Sequence, residues 1–296
     1  MLRLRAPAKL NLYLRVLGQR PDGYHEIETL FERIDLADEL VFEPAKTVSL
    51  TCSDRSLSCG EDNLVLRAAR ALQQLTGTTP GARLHLTKRI PIAAGLGGGS
   101  SDAAATLLGL NDLWNLGLER GRLLALAAGL GSDVPFFLSD APFAIGRGRG
   151  ERCEPVAAGR SLAHVLVVPD APLSTKAVYE GAQFNLTAPK PSITMMAHAL
   201  TNGPALAGLA TGLWNDLQPE AIRRCPVIPA LLVQLRDRGC LGVSLSGSGP
   251  SVFGLCRDLP HAQDVAARLR SECAPSWRVE IIQTDSPSLV GSPSAR

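Results

Sequence analysis

The stretch Pro-Ile-Ala-Ala-Gly-Leu-Gly-Gly-Gly-Ser-Ser-Asp-Ala-Ala at 91–104 sets four glycines within five residues, Gly95, Gly97, Gly98 and Gly99, ahead of two serines and a run of helix formers. Glycine lets a backbone turn tightly and bring its amides against phosphate oxygens without a Cβ in the way. A helix that starts there adds unpaired N–H groups and a partial positive charge. Ser100 or Ser101 can cap that helix or offer a hydroxyl to a phosphate. Pro91, Ala94, Gly95, Leu96, Gly97, Gly98, Gly99, Ser100 and Ser101 therefore read as a polyphosphate cradle. It is not a P-loop, which needs Gly-Lys-Ser/Thr at its end. Nor is it the dinucleotide pattern Gly-x-Gly-x-x-Gly, which fails at Ser100 counted from Gly95 and at Asp102 counted from Gly97. A flexible linker would also be rich in Gly and Ser. Here, however, a strand pattern precedes the loop (Leu84, Leu86 and Ile90 against Arg83, His85 and Thr87), and helical spacing follows it (Ala104, Leu107, Leu108).

Two further residues give the cradle a use. Arg outnumbers Lys 25 to 5, so each lysine merits inspection, and Lys9 lies in an alternating stretch with Asn11, Tyr13 and Arg15 opposite Leu10, Leu12, Leu14 and Val16. Asp133 sits between Gly131 and Pro135 in a stiff segment. Singly they read as a solvated lysine and a turn aspartate. Beside a phosphate cradle they suggest phosphoryl transfer, in which positioning and charge neutralisation dominate. An aspartate can take the proton of an acceptor hydroxyl, and a nearby ammonium keeps that carboxylate ionised.

Composition limits the alternatives. With 296 residues, two medium domains fit better than one, and 45% apolar with 20% charged residues describes an ordinary globular chain. A formal charge of +2 gives no basic footprint for nucleic acid. Seven scattered cysteines without a Cys-x-x-Cys support neither a disulfide framework nor a zinc site, and point to a reducing cytoplasm. The first residues lack an apolar signal core, and no 18-residue apolar run occurs, so no membrane attachment is expected.

The elements that must position these residues follow from periodicity and turn signals. Strands are expected at 2–16, within 24–42, at 47–52 and at 82–90, with a turn at 20–23. Helices are expected at 62–76, from the cradle to 114, and at 119–129, followed by a tight loop at 131–137. A strand at 141–146 runs into a flexible Gly-Arg-Gly-Arg-Gly stretch at 146–150. After a change of character near 155–162 come a buried strand at 162–168, helices at 192–201, 217–237 and 260–272, and a strand–turn–strand at 243–253. Strands and helices mix without regular alternation, which predicts two α+β domains, 1–158 and 159–283, with a Ser/Pro-rich frayed tail at 284–296.

Four motifs taken together resemble the GHMP kinase superfamily: Ala-Pro-Ala-Lys-Leu-Asn at 6–11, the cradle, Gly-Ser-Asp-Val-Pro at 131–135 and Leu-Ser-Gly-Ser-Gly-Pro at 245–250. With Arg-Pro-Asp-Gly-Tyr-His at 20–25, the chain is most similar to the branch whose acceptor is a cytidylated methylerythritol, over about residues 1–283. The resemblance implies a ribosomal-protein-S5-like N-terminal domain, a ferredoxin-like α/β sandwich after it, and an active site in the cleft between them. It implies ATP-dependent phosphorylation of the acceptor's 2-hydroxyl in the non-mevalonate isoprenoid route, with Mg²⁺ arriving on ATP rather than in an all-protein cage. By position, Lys9 and Asp133 match the catalytic pair. Tyr24 and His25 match the cytidine-recognition turn, Tyr179 the ring on the base's other face, and Asn11 a substrate contact. Asn63 and Val65 fall where similar kinases line the adenine pocket. The 246–249 turn either touches substrate phosphates or braces the cradle.

Two other functions compete. A GHMP kinase for a mevalonate- or homoserine-type alcohol would not need the aromatic turn at 24–25. A non-catalytic nucleotide- or RNA-binding domain would not need Lys9 with Asp133, and the near-neutral charge disfavours RNA.

Overall fold

The computed structural model describes residues 1–139, 141–202, 206–271 and 273–285. Strand β1 (Leu2–Gln19) and strand β2 (His25–Ala45) form a long antiparallel hairpin, closed by a turn in which the Gly23 amide donates to the Arg20 carbonyl at 3.1 Å. β3 (Ser49–Cys52), helix α1 (Leu64–Thr76) and β4 (Gly81–Thr87) follow, with β3 and β4 parallel. Next come α2 (Gly98–Leu113), α3 (Arg120–Leu130), the single turn α4 (Val134–Phe137) and the hairpin β5 (Phe143–Gly148) and β6 (Arg152–Val156). The second half runs β7 (Ala163–Val168), α5 (Thr175–Gly181), α6 (Ile193–Asn202), α7 (Ala207–Gly212), β8 (Trp214–Asn215) and α8 (Gln218–Arg224). It ends with α9 (Ile228–Asp237), β9 (Gly242–Leu245), β10 (Val252–Cys256), α10 (Leu259–Arg270) and β11 (Arg278–Gln283).

Among the described residues these strands make two sheets. The first has the order β3-β4-β2-β1-β8, with β5 also on β2 and β6 on β5. The second, β11-β7-β10-β9, is antiparallel throughout. Taken as β7-α9-β9-β10-α10-β11, it has the ferredoxin-like strand order. β8 belongs by sequence to the second half yet pairs in parallel with β1 at Tyr13 and Leu14, so the halves interlock.

Packing explains the strand patterns. Val165 and Val167 face a core with α8, α9 and α10, whereas Leu166 and Val168 face a second core with Leu10, Leu12, Leu30 and Ile34 of the first sheet. β7 is therefore buried on both faces, and its sequence is a continuous apolar run for that reason. β1 departs from strict alternation. Asn11 pairs with Phe31 and Tyr13 with Leu30, leaving Leu12 as the extra residue of a bulge. Tyr13 consequently joins Leu10 and Leu12 in one core, and Leu14 and Val16 move to another, against the single apolar face expected from period two.

Other expectations change as well. The helix expected at 217–237 is two, α8 and α9, separated at Pro226, because proline cannot donate into a continuing helix. The loop at 131–137 becomes α4. The stretch at 146–150 is the ordered end of β5 and its turn, where the Gly150 amide donates to the Arg147 carbonyl at 3.1 Å. At the tail, Thr284 and Asp285 are pinned: Thr284 bridges to Ile34 and the Asp285 amide donates to the Arg33 carbonyl at 2.8 Å. The rest of the expected tail, 286–296, lies outside the described residues. Among the described residues, no helix is long and apolar enough to cross a membrane.

One fully buried polar pair ties the sheets together. His164 Nε2 of β7 lies 2.8 Å from Glu32 Oε2 of β2, and the Thr284 hydroxyl donates to Glu32 Oε1 at 2.7 Å. Removing one member of a buried pair strands the other without solvent, at about 3–5 kcal/mol. Glu32→Ala should therefore lower the stability measured by chemical denaturation by about 3 kcal/mol. Glu39→Ala, at the exposed Arg3 pair, should cost less than about 1 kcal/mol.

Candidate active site

The cradle is built by backbone. α2 begins inside the glycine run, with Gly97 as its N-cap in the left-handed region at φ 71°, and the Ser101 amide makes the helix's first bond, to the Gly97 carbonyl at 2.9 Å. Neither serine caps the helix as expected, since a chain that starts one turn earlier leaves both within it. Ser100 lines the cavity described below, while Ser101 is buried, with no partner for its hydroxyl. At Gly95 (φ 77°) a Cβ would stand 2.1 Å from the Ser246 carbonyl oxygen, so only glycine fits. The Ser246 hydroxyl donates to the Gly95 carbonyl at 3.0 Å, and the Lys9 amide donates to the Leu96 carbonyl at 3.0 Å. The 246–249 turn thus joins β9 to β10 and also braces the cradle.

Lys9 extends from β1 beneath this loop. Its side chain is 5% exposed, with Nζ 3.6 Å from Asp133 Oδ2 and bonded to Asn11 Oδ1. Burial pulls the Lys9 pKa below the usual lysine value, while the charge and hydrogen bond of Asp133 oppose that shift. Asn11 is fixed in turn: its Nδ2 donates to the Thr29 hydroxyl at 2.8 Å, and that hydroxyl donates to the Tyr13 carbonyl at 2.6 Å. Asp133 precedes α4 but spends no side-chain bond on capping it, and its carboxylate stays 30% exposed toward the cavity. Phe136 behind it stacks on Phe31 with centroids 4.8 Å apart, which holds the turn in place. Sequence places Lys9 and Asn11 on a polar face; the structure shows that face buried, turned into the cavity rather than to bulk water.

Sequence reading missed a second lysine. Lys88 Nζ contacts Asp38 and lies 3.0 Å from Asp102 Oδ2. Asp38 Oδ1 also accepts the Arg89 and Ile90 amides at 2.5 and 2.9 Å. One ammonium thus serves two buried carboxylates, and Asp38 has the better set of donors. Burial pushes Asp102 up to about 7. The scarcity of lysine was a signal that could have flagged Lys88.

At the cavity's other end stand aromatic rings. His25 lies 5.2 Å from Tyr179 and, nearly edge-on, 5.2 Å from Phe184. Tyr24 is 54% exposed. Tyr179 packs on His25, and Phe184, which no sequence motif marked, completes the group. Burial lowers the His25 pKa, favouring a neutral ring with one donor and one acceptor nitrogen.

A single cavity of about 1430 Å³ joins both ends. Ligand pockets commonly measure about 300–1,000 Å³, and this one is larger. Its walls include Lys9, Asn11, Tyr24, His25, Asp133 and Tyr179, together with Asn63, Pro91 and the loop from Ala94 to Ser100. Val65 does not reach it, being fully buried in the core beside α2; its neighbour Leu64 lines the wall instead. Asn63 does line it, but its amide group is already engaged, accepting from the Val65 amide at 2.9 Å and donating to the Ser58 carbonyl at 2.6 Å.

Residues 63–141 match the GHMP kinases N terminal domain and 196–275 the GHMP kinases C terminal domain. The 4-diphosphocytidyl-2-C-methyl-D-erythritol kinase of Pelotomaculum thermopropionicum is 45% identical over 90% of this chain and 92% of its own. That of Gloeobacter violaceus is 41% identical over 91% and 90%. The chain belongs to the 4-diphosphocytidyl-2-C-methyl-D-erythritol kinase family. A crystal structure of 4-(cytidine 5'-diphospho)-2C-methyl-D-erythritol kinase, 37% identical, superposes with a TM-score of 0.79 over 95% of this chain and 99% of that one. A homoserine kinase from Cytophaga hutchinsonii, 19% identical, reaches 0.74 over 97% of each chain, a likeness of fold alone. Within this kinase family, the fold is the two-domain GHMP architecture expected from the motifs.

Two titrations follow. The Lys9 ammonium should lose its proton below the usual 10.5 in a ¹⁵N-lysine NMR titration, because burial disfavours the charged form. Asp133→Asn should lower it further. For Asp102, the folded state keeps a proton that the unfolded chain releases near 3.8, until its own value of about 7. Over that interval the unfolded state binds fewer protons, so this group makes stability fall as pH rises. Asp102→Asn should flatten that part of the stability–pH curve measured by denaturation.

Proposed function

We propose that this chain is an ATP-dependent kinase that phosphorylates the 2-hydroxyl of 4-diphosphocytidyl-2-C-methyl-D-erythritol, in the non-mevalonate isoprenoid route. One observation carries the reading: a single cavity holds a glycine cradle, a Lys9–Asp133 pair at 3.6 Å and an aromatic group at its far end. The donor's triphosphate lies on the amides at 95–100 and the N-terminus of α2, which attract anions together. Its adenine lies toward Ser58, Asn63 and Leu64. The acceptor's cytosine lies at Tyr24, His25, Tyr179 and Phe184, which offer ring faces and a neutral imidazole. Its hydroxyl then meets Asp133.

The carboxylate of Asp133 takes the hydroxyl proton as the oxygen bonds to the γ-phosphorus and the bond to the β-phosphate bridging oxygen breaks. The Lys9 ammonium, 3.6 Å from Asp133, attracts the oxygen as its negative charge grows. Asn11, anchored through Thr29, keeps Lys9 aimed and contacts the acceptor. Mg²⁺ accompanies the ATP. Ser100, Asp133 and the unpartnered Ser101 hydroxyl supply hard oxygens near the cradle, a set that suits an ion held chiefly by phosphates and water. Bound there, the ion neutralises phosphate charge.

The division 1–158 and 159–283 puts this cavity between two domains. A small, soluble nucleotide acceptor, the free thiols and the near-neutral charge suit a cytoplasmic enzyme with no nucleic-acid partner.

The test is phosphate transfer from ATP to a panel of alcohols. The cytidylated methylerythritol should be the preferred acceptor, and Asp133→Asn should bind ATP while turnover falls about 10²–10⁴-fold. Preference for mevalonate or homoserine, or unchanged turnover in the variant, refutes the reading.

A further inference from the structure

We infer that Arg149 binds the diphosphate of the acceptor and makes the cavity selective for a diphosphate-linked substrate over the nucleoside alone. The inference rests on the acceptor placement proposed above.

Arg149 lies in the β5–β6 turn, within the Gly-Arg-Gly-Arg-Gly stretch at 146–150 to which the sequence assigns no role. Its backbone neighbour Gly150 touches the catalytic end: a Cβ there would stand 3.7 Å from Asp133 Oδ1. Its side chain reaches the other end, with the guanidinium carbon 4.8 Å from the centre of the Tyr24 ring. Gly150 and the Arg149 side chain thus extend together from Asp133 to Tyr24. An acceptor with its hydroxyl at Asp133 and its base at Tyr24 must carry its two phosphates between those points, along the path Arg149 covers.

Charge leads to the same assignment. Four cationic side chains line the cavity among the described residues: Lys9, Lys88, Arg149 and Lys176. Lys9 is committed to Asn11 and Asp133, and Lys88 to Asp38 and Asp102. Lys176 is 83% exposed beside Glu180 at 3.8 Å. Arg149 is 25% exposed, and its nearest carboxylate, Glu151, is 3.9 Å from Nε, outside hydrogen-bond reach. That carboxylate instead accepts the Arg149 backbone amide at 2.6 Å, which fixes the turn. One guanidinium N–H, on Nη2, donates to the Ala128 carbonyl at 3.2 Å. Asp22 faces the same guanidinium, but it is bonded to Arg20 at 3.1 Å. Arg149 therefore has a positioned stem and donors to spare. Packed on Tyr24, its planar fork is held in an orientation suited to phosphate oxygens.

The test measures binding of cytidine, CMP and CDP to the full chain by calorimetry, alongside KM for the cytidylated acceptor. Arg149→Gln should weaken CDP and raise the acceptor KM on the order of 10- to 100-fold, with cytidine affinity unchanged, as expected for a charge-assisted bond. Arg149→Lys should fall between, keeping the charge but losing the fork. Equal losses for cytidine and CDP would make Arg149 merely a support for Tyr24 and overturn the inference, as would no loss at all. If the wild-type chain bound neither CDP nor cytidine, the acceptor placement itself would fail, and this inference with it. Retained cytidine binding in the variant also shows that it is folded.

Discussion

A lysine held against one carboxylate and one amide where water scarcely reaches it is the constraint around which this molecule is arranged. Taking a cation out of water costs several kcal/mol unless neighbours compensate. At Lys9 the compensation comes from Asp133 and Asn11, and neither works alone. Asp133 supplies opposite charge yet stays 30% exposed. Asn11 supplies a fixed acceptor, and Thr29 and the Tyr13 carbonyl hold Asn11 in turn. The bulge at Leu12 lets Lys9, Asn11 and Leu14 all line the cavity while Tyr13 turns into the core.

The glycine cradle depends on the same place. The Lys9 amide holds the Leu96 carbonyl and the Ser246 hydroxyl holds the Gly95 carbonyl, so the loop is stitched to the first sheet on one side and the second on the other. Gly247, at φ 56°, leaves room for this: a Cβ there would stand 3.1 Å from Lys9 Nζ. The glycine loop, the Lys9–Asp133 pair and the cavity they line are therefore one mechanical unit. Interlocking of the halves through β8 and the buried His164–Glu32 pair keeps that unit in register.

Near the cradle, Lys88 is shared by Asp38 and Asp102, a second buried charged group of a different kind. It has no exposed carboxylate. It anchors the 88–90 segment through two amides on Asp38, so the chain enters the cradle at a set angle. The contrast separates the two lysines: both carboxylates beside Lys88 are buried, whereas the one beside Lys9, Asp133, is 30% exposed toward the cavity.

Much of this was legible in the chain. Glycine spacing identified the cradle, since only backbone conformation was at issue, and the Asp-Gly turn closed the first hairpin as its side-chain chemistry dictates. Alternation located β1, and composition excluded a strongly basic surface. What failed did so for tertiary reasons. The Leu12 bulge depends on pairing with β2. Val65 was drawn into the core by α2, and Phe184 and Arg149 came to the cavity only because distant strands and turns converge there. Residue types and local spacing determined which groups were available for phosphoryl transfer. Which of them share one water-poor cavity, and which spend their donors on structure, was decided by long-range packing, because distances between remote segments are fixed only when both sheets close on their cores.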